Sequence, residues 1–393
     1  MNTDESRGHG FRRFYQKYAF TLWVLVAVAA SMSAPAAFRS WFGTDLKVLI
    51  VPLIQVITFG MGTTLSAKDF RNVLTMPWPV FIGIALQFVI MPLVGFTIAM
   101  TFGFPPEVAA GVILIGSVSS GVASNVMTYL AGGNVPLSVT ITSSTTLLSP
   151  VVTPFWMKTL AGRLVPVDFV AMMLSIFNMI IIPIVAGLAA NRLLYGTKKR
   201  TNPAVMLAIS APAFLALAAA AAATPTPWWG RLAVLKRGVL LGFLLLGLTA
   251  LAKLVIAIML KGPANWMDKT LPIVSMAGIC LIIAIITAQS RDQLLSVGPL
   301  LILAAIVHNG TGYGLGYAGG RLARLDESAC RAVAMEVGMQ NGGMASGIAI
   351  DVLRSTNAAL APAIFGPWMN VSGSLLAGWW RRRPVRKTPE HIL

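Results

Sequence analysis

Residues 331–351 read Arg-Ala-Val-Ala-Met-Glu-Val-Gly-Met-Gln-Asn-Gly-Gly-Met-Ala-Ser-Gly-Ile-Ala-Ile-Asp. The run is long and apolar enough to approach a membrane span, yet Glu336, Gln340 and Asn341 sit inside it. Gly338, Gly342, Gly343 and Gly347 make it a poor continuous helix. A carboxylate deep in hydrocarbon costs roughly 2.5–3.5 kcal/mol on insertion scales, so it needs a partner. Glycines that interrupt a helix free backbone carbonyls, tolerable at that depth only around a protein-lined cavity. A carboxylate, an amide pair and loose carbonyls together make an oxygen cage for a small hard cation. Broken helices of this kind build the ion and substrate sites of secondary transporters. The competing reading is a glycine-rich packing helix in which Glu336 is hydrogen-bonded to a neighbour.

The rest of the chain has the composition such a helix requires. Of 393 residues, 56% are hydrophobic and 11% charged, with a mean hydropathy of +0.77. Soluble domains carry about 25% charged residues. Runs of about 20 apolar residues recur along the whole length, which favours a polytopic helical bundle in the lipid bilayer over a barrel. Cys280 and Cys330 lie in separate segments and form no CxxC, so neither a disulfide framework nor a zinc site follows. A net charge of +17 raises the question of nucleic acid, but the basic residues fall mainly between the spans, where they mark topology. Nucleic acid is therefore excluded as a partner, and nothing in the sequence calls for an obligate protein partner.

Spans are expected at 18–38, 46–66, 77–101, 107–131, 135–160, 168–194, 203–223, 238–260, 270–290, 297–320, 328–351 and 357–380, twelve in all. The first follows Arg12, Arg13 and Lys17; it outlasts a signal peptide's apolar stretch and is kept as a span. With both termini cytoplasmic, 20 of the 30 Lys and Arg fall on the cytoplasmic side and 9 on the other, with Lys253 inside a span. That bias supports the orientation. The discordant loop is 224–237, which carries Arg231, Lys236 and Arg237 on the outer side. Lys253 is expected to snorkel to the interface. The tail 381–393, with its Arg-Arg-Arg-Pro-Val-Arg-Lys, is expected to anchor the last helix at the cytoplasmic surface.

A second polar break lies at 116–146, dense in Ser, Thr, Gly and Asn. Small hydroxyl residues commonly glue membrane helices together, but here Ser124 and Asn125 follow a glycine break while Ser138 and Thr142 recur four apart on one helix face. Their oxygens are expected to converge, with Glu336 supplying charge. Gln87, mid-span in Ile-Ala-Leu-Gln-Phe-Val-Ile-Met-Pro, is either packing glue or a further ligand. Two broken spans, each fourth in a set of five, imply an inverted repeat: 18–160, then 168–380 interrupted at 196–265 by an inserted hydrophobic hairpin. The direct sequence similarity between the halves is faint.

Ser124-Asn125-Val-Met-Thr-Tyr-Leu-Ala-Gly-Gly-Asn134-Val-Pro-Leu-Ser138, together with Glu336-Val-Gly-Met-Gln340-Asn341, resembles the bile acid:sodium symporter family. The resemblance covers nearly the whole chain except about 196–265. It implies an all-α membrane protein of two inverted five-helix repeats, divided into core and panel domains, with two broken helices crossing in the core. It further implies a first sodium ion held by Ser124, Asn125, Ser138, Thr142 and Glu336. A second would be held by Gln87, Glu336 and Gln340 with the carbonyls of Val337 and Met339. Substrates would be small organic anions such as bile acids, pantoate-like hydroxy acids or keto acids. Ser119-Ser120 stand where the family usually has Pro-Gly, and Met369-Asn370 where it often has a His before the Asn. Asn341, Met369 and Asn370 are assigned to the substrate cavity.

Gly314-Leu-Gly316-Tyr-Ala-Gly319 matches GxGxxG but follows no strand, so it reads as close-packing glycine. His308-Asn309 within a span could relay protons or touch substrate, with a structural hydrogen bond as the preferred reading. No HExxH or GxSxG appears, and no nucleophile–base set supports an enzyme. The expectation is a single transmembrane unit in a bacterial inner membrane that imports an organic anion with sodium by alternating access. The rival within transport is a proton-coupled anion carrier in which Glu336 titrates.

Overall fold

Apolar runs with no water to bond to must satisfy their own backbones, and they do so here as helices. The structure is a computed structural model and describes residues 22–195, 203–261 and 266–383. In chain order the helices are α1 (Leu22–Ser33), α2 (Ala36–Arg39), α3 (Ile50–Thr64), α4 (Ala67–Thr75) and α5 (Pro77–Thr101). Then come α6 (Pro106–Ser117), α7 (Ala123–Leu130), α8 (Val135–Trp156), α9 (Phe169–Ile176) and α10 (Ile182–Tyr195). The second half holds α11 (Pro203–Ala223), α12 (Lys236–Ala252), α13 (Trp266–Gln289), α14 (Arg291–Leu322), α15 (Glu327–Gly338), α16 (Gly342–Asp351) and α17 (Thr356–Arg381). Wider π-helical turns at Met157–Ala161 and Lys253–Met259 extend α8 and α12, and Phe177–Ile181 joins α9 to α10.

Among the described residues, seven helices are long and apolar enough to cross a membrane by length and composition. The protein is a multi-pass membrane protein. The expected runs 77–101 and 203–223 coincide with α5 and α11, while α14 is longer than its expected 297–320. The expected spans at 107–131 and 328–351 appear as the split pairs α6/α7 and α15/α16. The start of the span placed at 18–38, the N-terminal basic residues, the loop 196–202 and the tail beyond Arg383 lie outside the described residues.

Small residues set how closely the helices approach. A Cβ on Gly111 of α6 would strike the backbone of Ala358 in α17, and Ala358, Ala359 and Ala361 are fully or almost fully buried there. In membranes, where lipid offers no hydrophobic drive between helices, such close backbone contact is the main source of cohesion. Gly62 of α3 and Gly187 of α10 meet in the same way. Gly316 and Gly319, from the GxGxxG match, pack against α15 and Leu86 respectively, as glycines in a helix rather than in a nucleotide loop.

The hairpin α11–α12 is pinned to the α9–α10 helix at both ends. The Asn178 Oδ1 accepts the Gly238 N–H at 2.7 Å, and Lys253 Nζ donates to the Leu193 carbonyl at 2.7 Å. Lys253 therefore satisfies the C-terminal carbonyl of a neighbouring helix, where the sequence reading had it snorkelling. Three local features escape the hydropathy pattern: the short helix α4, the two-residue ribbon Ser40–Trp41/Thr44–Asp45, and the 3₁₀ turn Thr226–Leu235.

A Cβ on Gly187 would fall 2.7 Å from the Gly62 Cα, with backbone on both sides unable to yield. Gly187→Leu is expected to destabilise by about 1–3 kcal/mol through overpacking. Gly378→Leu, with nothing within 4 Å of its Cβ position, is expected to leave the melting temperature unchanged in the same detergent.

Candidate ion and substrate site

Glu336 lies on the last turn of α15 and is 0% exposed. Four hydroxyls donate to it, two to each oxygen. Ser124 and Ser138 reach Oε1 at 2.5 Å each; Ser120 and Thr142 reach Oε2 at 2.5 and 2.7 Å. Each hydroxyl also keeps two lone pairs, so the ring around the carboxyl can accept as well as donate. Asn125 completes the cluster, its Oδ1 lying 2.8 Å from the Ser138 hydroxyl and 3.2 Å from the Thr142 hydroxyl, whose single protons go to Glu336. Ser138 and Thr142 share a face of α8 because they are four apart, and the Asn134 side chain caps the start of that helix by accepting the Leu137 N–H at 3.0 Å.

The two interruptions meet back to back. Residues 118–122 separate α6 from α7, and 339–341 separate α15 from α16; Ser120 and Gln340 pair across them as an isolated antiparallel bridge. The Gly121 N–H donates to the Met339 carbonyl, and the Asn341 N–H to the Ser119 carbonyl, both at 2.9 Å. Gly121 lies so close to the other strand that a Cβ there would sit 3.0 Å from the Gln340 carbonyl oxygen. Three further carbonyls at the breaks have side-chain donors: Val118 from Gln87 Nε2 at 3.0 Å, Val337 from Gln340 Nε2 at 2.7 Å, and Gly338 from Asn309 Nδ2. Gln87 Nε2 also bonds the Gln340 side-chain oxygen, while Gln87 Oε1 is a buried acceptor with no donor. Gln87 of α5 and Gln340 are thus joined side chain to side chain at the break, with Gln340 also holding the Val337 carbonyl, while the Met339 carbonyl is taken by the Gly121 N–H.

Below the crossing lies a cavity of about 690 Å³. Its walls come from α3, α13, α16 and α17, and Gly121, Gln340 and Asn341 form its end. Met369 and Asn370 are among the residues that line it. The Oδ1 of Asn341 accepts the Met344 N–H at 3.0 Å and caps α16, so the group left for the cavity is its amide donor. Asn370 Nδ2 returns to the Gly366 carbonyl at 2.9 Å, which leaves its oxygen free to face inward. The Met369 sulfur accepts the Gln340 N–H at 3.2 Å, tying the cavity wall to the break.

A family model described as Sodium Bile acid symporter family matches residues 51–225. The sodium-dependent transporter YocS of Bacillus subtilis (strain 168) is 33% identical over 368 residues, 94% of this chain and 92% of its own length. The chain belongs to the sodium bile acid symporter family. A probable sodium/metabolite cotransporter, BASS1 of Arabidopsis thaliana, chloroplastic, is 26% identical over 93% of this chain and 73% of its own. These relatives are named as transporters, not enzymes. Among solved structures, the sodium proton antiporter MjNhaP1 of Methanocaldococcus jannaschii aligns over 95% of both chains at 13% identity with a TM-score of 0.48, a likeness too distant to bear on this protein.

In this family member the sequence reading missed two contacts of the cluster. Ser120, noted only where the family has a glycine, donates directly to Glu336. Asn309 was overshadowed by His308, yet it is Asn309 that takes the Gly338 carbonyl, with Ser372 donating to its oxygen. His308 is fully buried with its ring 5.3 Å from Phe365 and does not line the cavity.

Hydrogen bonds to a charged group are worth about 1.5–3 kcal/mol each. Ser138→Ala and Thr142→Val are each expected to destabilise by that amount, and a double-mutant cycle with Glu336→Gln should return a coupling of 0.5 kcal/mol or more. Denaturation midpoints that simply add would mean these contacts are not made.

Proposed function

We propose that this protein is a sodium-coupled symporter that imports a small organic anion across a bacterial inner membrane. The observation that carries the reading is the wholly buried Glu336 ringed by oxygen groups from two interrupted helices. A proton carrier needs only the carboxyl; four hydroxyls and an asparagine oxygen are the donor set of an alkali-cation cage. Sodium-dependent transport in the names of relatives supports the same choice.

Two ions are assigned. The first takes Ser124, Asn125, Ser138, Thr142 and Glu336, whose hydroxyls turn their lone pairs inward on binding. The second takes Gln87, Gln340, Glu336 and the carbonyls of Val337 and Met339; a carbonyl that already accepts one hydrogen bond keeps a second lone pair for a cation. The donorless Oε1 of Gln87 supports this second position. Two cations beside one carboxylate leave a positive surplus, and the N-terminal turns of α7 and α16, both at the cavity, add to it. An anion is the substrate that balances this charge. Bile acid-like, pantoate-like and keto acid anions all fit the class.

The architecture follows the family pattern. Helices from α1 to α8 form one five-span repeat. The α9–α10 helix with α13, α14, α15/α16 and α17 forms the inverted second, and α11–α12 is an added spanning pair, giving twelve spans with both termini cytoplasmic. The repeats divide into a panel and a core that rock against each other around the site. In that orientation the cavity, running past the C-terminal half of α3, faces the cytoplasm. No obligate protein partner is invoked.

Sodium is expected to raise the melting temperature of purified protein where potassium does not, by the mass-action term RT ln(1 + [L]/Kd), about 2.7 kcal/mol at a hundredfold excess over Kd. Glu336→Ala and Gln340→Ala should each abolish the sodium increment. A melting point that ignores sodium but moves with pH through Glu336 would transfer the assignment to proton coupling.

In proteoliposomes, uptake of the labelled anion should require an inward sodium gradient and vanish in Glu336→Gln. Uptake driven equally well by potassium would rule out sodium symport.

A further inference from the structure

Away from the Glu336 cage, on the outer flank between α14 and α17, lies a second cavity of about 340 Å³. Its floor is Tyr313, whose ring abuts Gly338 at the second helix break and whose hydroxyl lies 3.3 Å from the Ser372 hydroxyl. One wall is Trp379 and Trp380. The rim is Arg383, its guanidinium 4.1 Å from the Trp379 ring.

The cavity's charge is unbalanced. Glu327 is matched by Arg331, which is 4% exposed and donates to it from Nε at 2.8 Å. Arg331 also donates to the carbonyls of Ala131 at 2.9 Å and Arg383 at 2.8 Å. The exposed Arg321 also reaches Glu327, at 4.0 Å, so that carboxylate is shared by two arginines and Arg383 is left as the cavity's cation without a carboxylate partner among the described residues. Deeper along α14, Gly310 and Gly314 stand one turn apart on its exposed side with nothing within 4 Å of their Cβ positions, and Gly378 on α17 is equally open. The result is a cationic rim, a tryptophan collar and an apolar trough leading from it into the depth of the bilayer.

We propose that this cavity binds an anionic phospholipid. The phosphate sits against Arg383, the glycerol region beside Trp379, and an acyl chain follows the exposed face of α14 past Gly314 and Gly310. Basic pockets between membrane helices at a cytoplasmic face recognise anionic headgroups for this reason, and tryptophan belongs at the headgroup level. The order of groups along the helices, charge then indole then bare glycine, matches the order of groups along a lipid. The lipid also bears on the ion-site helix, because Glu327 and Arg331 form the foot of α15 and Tyr313 braces its end. The proposal stands independently of sodium coupling.

The full-length protein in detergent would be titrated separately with dioleoyl-phosphatidylglycerol, dioleoyl-phosphatidylcholine and inorganic phosphate, following melting temperature and bound lipid by native mass spectrometry. Phosphatidylglycerol is expected to bind and raise the melting temperature, with phosphatidylcholine and phosphate leaving it unchanged. Removing one guanidinium near an anionic headgroup weakens binding about fivefold, so Arg383→Ala should lose affinity by that factor. Gly314→Leu, which fills the trough without touching a charge, should abolish binding, and the remote surface change Lys158→Ala should not affect it. Melting of each variant in lipid-free detergent reports whether it folds. Equal binding of the two lipids, phosphatidylglycerol binding that survives both variants, or a phosphate shift as large as the lipid's would each overturn the proposal.

Discussion

A carboxyl group held where water does not reach is the constraint from which the centre of this protein follows. Glu336 has no exposed surface. An uncompensated buried charge costs several kcal/mol, and removing one partner of a compensated one is correspondingly damaging. Compensation comes from Ser124 and Ser138 at one oxygen and Ser120 and Thr142 at the other, residues that lie 194 to 216 positions earlier in the chain. α15 therefore cannot be seated without α7 and α8, and the long-range order of the core is imposed by one side chain's need for donors. The same oxygens that stabilise the charge are hard ligands, so the structural requirement and the ion chemistry share one set of atoms.

The helix breaks are the second half of that arrangement. Interrupting a helix within the membrane exposes amides and carbonyls that lipid cannot satisfy. Here each interruption supplies what the other lacks, through the Gly121–Met339 and Asn341–Ser119 hydrogen bonds, a fragment of antiparallel sheet in an otherwise helical bundle. Gln87, Gln340 and Asn309 take three further carbonyls. Asn341 then restarts the second broken span as the cap of α16. The breaks are thus rigidly specified rather than loose.

Much of this was legible in the amino-acid sequence, for physical reasons that also explain what was not. Apolar length marks a span wherever it occurs, so the long helices were found nearly to the residue at α5 and α11. Glu336 and Gln87 stood out because a polar group in hydrocarbon is expensive, and Ser138 and Thr142 because a four-residue spacing puts them on one face. Ser120 was passed over since its contact with Glu336 depends on the antiparallel register of two segments more than 200 residues apart, which no local pattern encodes. Lys253 misled for a similar reason: a lysine near a span's end reads as reaching for water, and the unsatisfied carbonyl at Leu193 that it meets is visible only once α10 and α12 are side by side. The short helix α4 lacks the apolar length that made the spans readable.

The two-point attachment of α11–α12 to the α9–α10 helix has a consequence for the surrounding bilayer. Asn178 holds one end of the pair and Leu193 the other, so whatever displaces α10 must carry two more lipid-facing helices with it. Val205, Ile209 and Leu217 present side chains to the acyl tails along this outrigger. A moving wall of that breadth has to shear more lipid than α10 alone, so viscous drag from the membrane becomes part of the resistance to any excursion. The turnover of such a machine would track the fluidity of its membrane, slowing in stiff, saturated bilayers and quickening in unsaturated ones.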